Sequence, residues 1–97
     1  METICMTSKH SSDEMCSVLD EALKNQREFA LARLRKFEAE CREFEQKFQM
    51  DSDRFARDFD SGKLGDDAHW FDWYAVNRGR LSWLKKYNVL KEIRWKR

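Results

Sequence analysis

The residues best suited to chemistry are four aspartates, Asp58, Asp60, Asp66 and Asp67, packed into a ten-residue stretch. Hard oxygen donors at such density suggest calcium, but a calcium loop needs ligands at positions 1, 3 and 5 and a bidentate Glu at 12. Counted from Asp58, position 5 is Gly62 and position 12 is His69, so the template fails. The same carboxylates suit helix starts, where they accept orphan backbone N–H groups and face the positive end of the dipole. Cys5, His10, Cys16 and Cys41 lack the paired spacing of a zinc site. Gly62 and Gly65 are not followed by the Lys-Ser/Thr of a phosphate loop. His10 falls in a polar N-terminal tail, His69 in the first turn of a helix, and Cys41 on an apolar stripe where a thiol packs rather than reacts. These residue types point away from an enzyme, and they imply no metal and no cofactor.

Two other groups remain. Trp70, Phe71, Trp73 and Tyr74 put four large rings into five positions, and a helix cannot turn all of them inward. Residues 70, 73 and 74 share one side and 71 lies on another, so at least one ring is expected at the surface, where large aromatics supply binding energy. The second group is basic: residues 78–97 hold eight Lys/Arg against Glu92 alone, with Trp83, Tyr87 and Trp95 interleaved. Such a strip could follow a phosphate backbone and stack bases. The favoured reading is a solvated helix face partly neutralised by residues 51–72, which carry seven Asp.

These residues need helices to position them. Charged residues make up 38% of the 97, hydrophobic ones 41%, and proline is absent, a mixture that favours long helices. Isoleucine and valine are few and never alternate as a strand would. No apolar run approaches the roughly 20 residues that cross a bilayer, so no membrane span is expected. Residues 1–12 have neither the charge order nor the cleavage site of a secretory signal. Three cysteines at irregular spacing fit a reducing compartment better than a disulfide framework, so the cytoplasm is the expected location.

The reading is all-α: a disordered tail over 1–12, then one helical domain over 13–97. Its first helix is long and amphipathic, running from about 13 to 49 behind a Ser12 or Asp13 cap. Ala30, Leu34, Phe37, Cys41, Phe44 and Phe48 alternate spacings of four and three, a seam that keeps one face against a neighbouring helix. Asp51 caps a short helix over about 52–61, with Met50 and Phe55 at the ends of a hydrophobic staple. Gly62 ends it in the left-handed conformation, Leu64 plugs the junction, and Asp66 or Asp67 caps a third helix over about 68–95. That helix has one stripe of Trp70, Tyr74, Leu81 and Leu84, interrupted by Asn77. A neighbouring stripe holds Trp73, Val76, Trp83, Tyr87 and Leu90. Gly79 inside it is either a weak point or a place where another backbone comes close. The third helix folds back on the Ala30–Phe48 seam, giving an elongated helical hairpin.

The order Lys47-Phe48-Gln49-Met50, Phe55, Phe59, Gly62, Leu64-Gly65-Asp66-Asp67 and Trp70-Phe71-Asp72-Trp73 resembles a signature of small helical proteins of bacteria and archaea. Those are encoded beside a small toxin and taken as the antitoxin halves of toxin–antitoxin pairs. The likeness spans Lys47 to Tyr74 with a charged helix before it. Gln49 departs from the pattern, which has Gly or Asn there for a sharper break, and so leaves open whether helix one stops at that point.

The resemblance implies a protein that wraps a cognate toxin, often a ribonuclease, with amphipathic helices and blocks its active site. On this reading the contact residues are Phe37, Phe44, Trp70, Phe71, Trp73, Tyr74 and Trp83, with Arg78 and Arg80 as polar anchors. A nucleic-acid-binding accessory protein using Arg80 to Arg97 is the first alternative. A self-associating coiled coil is the second, although a parallel homodimer through the seam would set Glu40 against Glu45 of its mate. No ribbon-helix-helix or helix-turn-helix signature supports operator binding.

Overall fold

The structure, a computed structural model, describes residues 9–94. Most of the expected disordered tail (residues 1–8), Cys5 within it, and Trp95, Lys96 and Arg97 lie outside the described residues.

Helix α1 spans Ser12–Phe48, α2 Ser52–Asp60 and α3 Ala68–Glu92, with no strand among the described residues. Each boundary has a local cause. Ser11, not Ser12 or Asp13, caps α1: its hydroxyl accepts from the Glu14 backbone N–H at 3.2 Å. The reason is the Ser-x-x-Glu spacing of a capping box, which puts Glu14 at the third helical position. Helix α1 does stop at Phe48. Gln49 takes the left-handed conformation (φ 54, ψ 48), and its N–H and that of Met50 both reach the Glu45 carbonyl. A residue with a Cβ in that conformation costs about 1–2 kcal/mol. Its amide side chain offsets part of the cost by donating to the Gln46 carbonyl at 2.6 Å.

Asp51 caps α2 as expected, its carboxylate accepting from Arg54 N–H at 2.8 Å. Gly62, at φ 80, ends it. The Lys63 N–H returns to the Asp58 carbonyl and the Gly62 N–H to that of Phe59, the two bonds of a Schellman motif. Leu64 is half-buried in the turn that follows. Asp67 takes the cap position of α3 but its side chain makes no capping bond. Helix α3 ends at Glu92 rather than near 95, because Ile93 is extended.

Helix α3 runs antiparallel to α1 along the expected seam. Phe48 meets Trp70, Phe44 meets Trp73, Cys41 meets Asn77, Phe37 covers Gly79, and Phe29 meets Trp83. The result is a rod of 58 × 25 × 18 Å with a radius of gyration of 19.1 Å. A compact chain of this length would have about 12.5 Å. At about 1.5 Å per residue, α1 outruns α3 by roughly a dozen residues, all at its N-terminal end. Two helices side by side bury one seam each, and among the described residues the buried apolar side chains are Ala30, Leu34, Cys41, Phe55 and Trp73.

Candidate interaction surface

The aromatic residues gather at the end of the rod where the three helices meet. Trp73 stacks flat on Phe55 (centroids 4.0 Å apart, planes at 4°) and on Phe44 (5.6 Å, 7°). Phe55 and Trp73 have no exposed surface. A buried indole N–H must find an acceptor, and Trp73 Nε1 donates to Ser52 Oγ at 3.0 Å. The Ser52 backbone N–H, an orphan of the first turn of α2, donates to Glu45 Oε2 at 2.8 Å. One serine therefore joins all three helices.

A second buried polar link lies one turn further along. Asn77 Oδ1 accepts from Arg80 Nε at 2.9 Å and faces the Cys41 thiol at 3.9 Å. Arg80 continues to Asp53 at 3.4 Å, its side chain only 20% exposed. Burial pushes the Cys41 thiol above its ordinary value; the nearby Ser52 hydroxyl and Arg80 guanidinium pull the other way and lose. The thiol stays protonated and inert near neutral pH. Asn77, which interrupts the apolar stripe in the sequence, is thus the buried acceptor that holds Arg80 and meets Cys41.

These contacts sort the expected site residues. Trp73 lies wholly in the intramolecular core and so supports a surface without forming one. Phe37 and Phe44 are half-buried between α1 and α3, and Arg80 is committed to Asn77 and Asp53. Trp70 is half-buried against Phe48 and His69 (4.7 and 4.2 Å), and Tyr74 stacks on Phe59 at 4.7 Å. Phe71 is the ring left outside, 52% exposed with its edge on Phe59, and Arg78 is exposed over the Tyr74 ring.

Trp83 forms a separate cluster near the middle of the rod with Phe29, which is 51% exposed and set edge-to-face at 5.6 Å. The Arg33 guanidinium lies 5.8 Å from both ring centres and Lys86 Nζ lies 4.8 Å from that of Trp83. Two cations are therefore held beside an aromatic pair, exposed Phe29 and half-buried Trp83, at geometry that favours cation–π attraction. Phe29, Arg33 and Lys86 were not singled out in the sequence. Phe29 sits off the α1 seam, and only the fold-back of α3 brings Trp83 beside it.

The pairing also concentrates charge. Residues 24–36 of α1 lie along the same stretch of rod as residues 78–94, in α3 and just past its end, and together they carry eleven Lys/Arg against Glu28 and Glu92. Residues 37–77, at the aromatic end, carry eleven Asp/Glu against five Lys/Arg. On the other flank, a shallow depression of about 290 Å³ is lined by Arg27, Glu28, Leu31, Tyr87 and Lys91. Among the described residues no three His, Cys, Asp or Glu converge as metal ligands do, and no helix is long and apolar enough to cross a membrane.

Compared with protein-family models, curated proteins and solved structures, the chain matches none.

Proposed function

We propose that this chain is an antitoxin-like binding protein that neutralises a cognate toxin, a ribonuclease being the class the resemblance implies, through the face around Phe29 and Trp83. The observation that carries this reading is the half-exposed aromatic pair with Arg33 and Lys86 held beside it. Exposed large aromatics and arginine are the residues that dominate binding energy at interfaces. The fixed cations select a partner that presents carboxylates beside an apolar patch. The Lys47–Tyr74 signature supplies the toxin–antitoxin context.

Co-expression with the product of the neighbouring reading frame tests this reading. That product is expected to be toxic alone, harmless with this chain and retained by it on purification. Phe29→Ala with Trp83→Ala is expected to abolish retention while helicity, followed by circular dichroism, is kept. Retention by the double variant would overturn the assignment of this face, and a harmless neighbour would overturn the antitoxin reading.

A second reading has its own observation, the excess of nine positive charges over residues 24–36 and 78–94. That stretch would bind single-stranded RNA, with log affinity falling by about 0.7 per phosphate contact per log unit of salt. Absence of binding to an RNA oligonucleotide at low salt removes it.

A further inference from the structure

We infer that residues 93–97, which follow α3, seat on the overhanging N-terminal part of α1, with Trp95 against Leu19 and Leu23. The seam of α1 does not stop where α3 does. Cys16, Leu19 and Leu23 lie three and four apart, and Ala30 comes seven residues after Leu23. All of them therefore share the side of α1 that α3 covers further along. None of Cys16, Leu19 and Leu23 is buried, and Val18, a step round the helix, is 67% exposed.

Charge selects the occupant. Residues 12–23 carry Asp13, Glu14, Asp20 and Glu21 and no Lys or Arg, whereas residues 93–97 carry Arg94, Lys96 and Arg97 and no acid. Residues 1–8, which lead into α1, bring Glu2 and no Lys or Arg. The same stretch of a second copy would set four carboxylates against four, a like-charge contact. Reach agrees with charge. Lys91 and Arg27 line one depression, so in the antiparallel register Ile93 arrives level with about residue 25. There the backbone leaves the helix and turns extended (φ −71, ψ 123). An extended chain advances about 3.3 Å per residue against about 1.5 Å for α1. Continued so, residue 95 comes level with the gap between Leu19 and Leu23, and residue 97 level with Cys16. Alternation puts Ile93 and Trp95 on one side, towards α1.

A thiol at position 97 tests the seat. The full chain carrying Cys5→Ser and Arg97→Cys, equilibrated in a glutathione buffer, is expected to close a disulfide onto Cys16 within one molecule; Cys41 is buried and takes no part. Adding Trp95→Ser is expected to lower the closure equilibrium roughly tenfold or more, as loss of an aromatic anchor does. High salt is expected to lower it as well, because exposed charge pairs are screened. Failure to close, closure indifferent to Trp95→Ser, or a disulfide-linked dimer, in which the segment seats on a second copy, would each overturn the proposal. Amide hydrogen exchange gives a readout free of engineered thiols. Trp95→Ser alone is expected to speed exchange over residues 17–23 and to leave residues 30–48 unchanged. Unaltered exchange over 17–23 would overturn the seat independently. None of these outcomes bears on the Phe29–Trp83 face, so its test stands apart.

Discussion

Two stretches of the α1–α3 contact use the same residue types to opposite purpose. At the three-helix end, Trp73 is sandwiched by Phe55 and Phe44 and its N–H is bonded. In the middle of the rod, Trp83 has one ring, Phe29, at its edge and cations beside it. The difference is a third helix. Where α2 supplies Phe55, Trp73 becomes core; where α1 and α3 stand alone, Trp83 stays half-open. In a two-helix rod an aromatic's role is set by how many layers surround it.

The sharpest way to break this comparison is to truncate one ring in each stretch. Trp73→Ala is expected to cost about 3–5 kcal/mol in denaturant unfolding, as loss of a buried large aromatic does. Phe29→Ala, at a half-exposed position, is expected to cost well under half of that. Similar losses at both positions would mean that the middle of the rod is as much core as its end.

Gly79 sharpens the comparison between those two places. A Cβ built there would lie 2.6 Å from Phe37 Cε1, too close for either to stay in place. Alanine would gain about 1 kcal/mol of helix propensity, against an overpacking penalty of about 1–3 kcal/mol. Gly79→Ala is therefore expected to be net destabilising by thermal melting, and Phe37→Leu in the same chain to restore part of the loss. A stabilised Gly79→Ala single variant would show that the ring has room to slide.

The smallest expected effect is alkaline. The Cys41 pKa is raised in the folded state, so at high pH the unfolded chain binds fewer protons than the native one and stability falls as pH rises. The contribution is whole below the free-thiol value of 9.0 and is lost as pH climbs from there through the folded value. Cys41→Ser should flatten that part of the curve relative to the parent chain, as followed by urea unfolding at successive pH values. An unchanged slope would mean that other groups set it.

Much of this was legible in the sequence because it is local. The Asp51 cap, the Gly62 stop and the Ala30–Phe48 seam each follow from residues within a turn or two of one another, and periodicity put Phe71 apart from its neighbouring rings. What was hidden depends on residues distant in the chain. Asn77 breaks a stripe in one dimension and takes its place only when Cys41 and Arg80 surround it. Ser52 looks like an ordinary first-turn residue until Trp73 arrives from 21 positions away. Phe29 lies off its own seam, and its role depends on α3 crossing at Trp83. Gln49 carried a mixed signal, because its left-handed conformation is one that Gly or Asn adopts more cheaply.

The single oxygen of Ser52 constrains how this chain can drift. Removing it leaves an indole donor stranded in a dry interior, so substitution at 52 is viable only if the replacement also accepts, as Thr or Asn would, or if position 73 has first lost its N–H. Glu45 bonds the backbone of residue 52 rather than its side chain, so it keeps its place whichever of those routes is taken. Sequences descended from this one should therefore show Ser52→Ala only alongside Trp73→Phe, and changes at Glu45 independent of both.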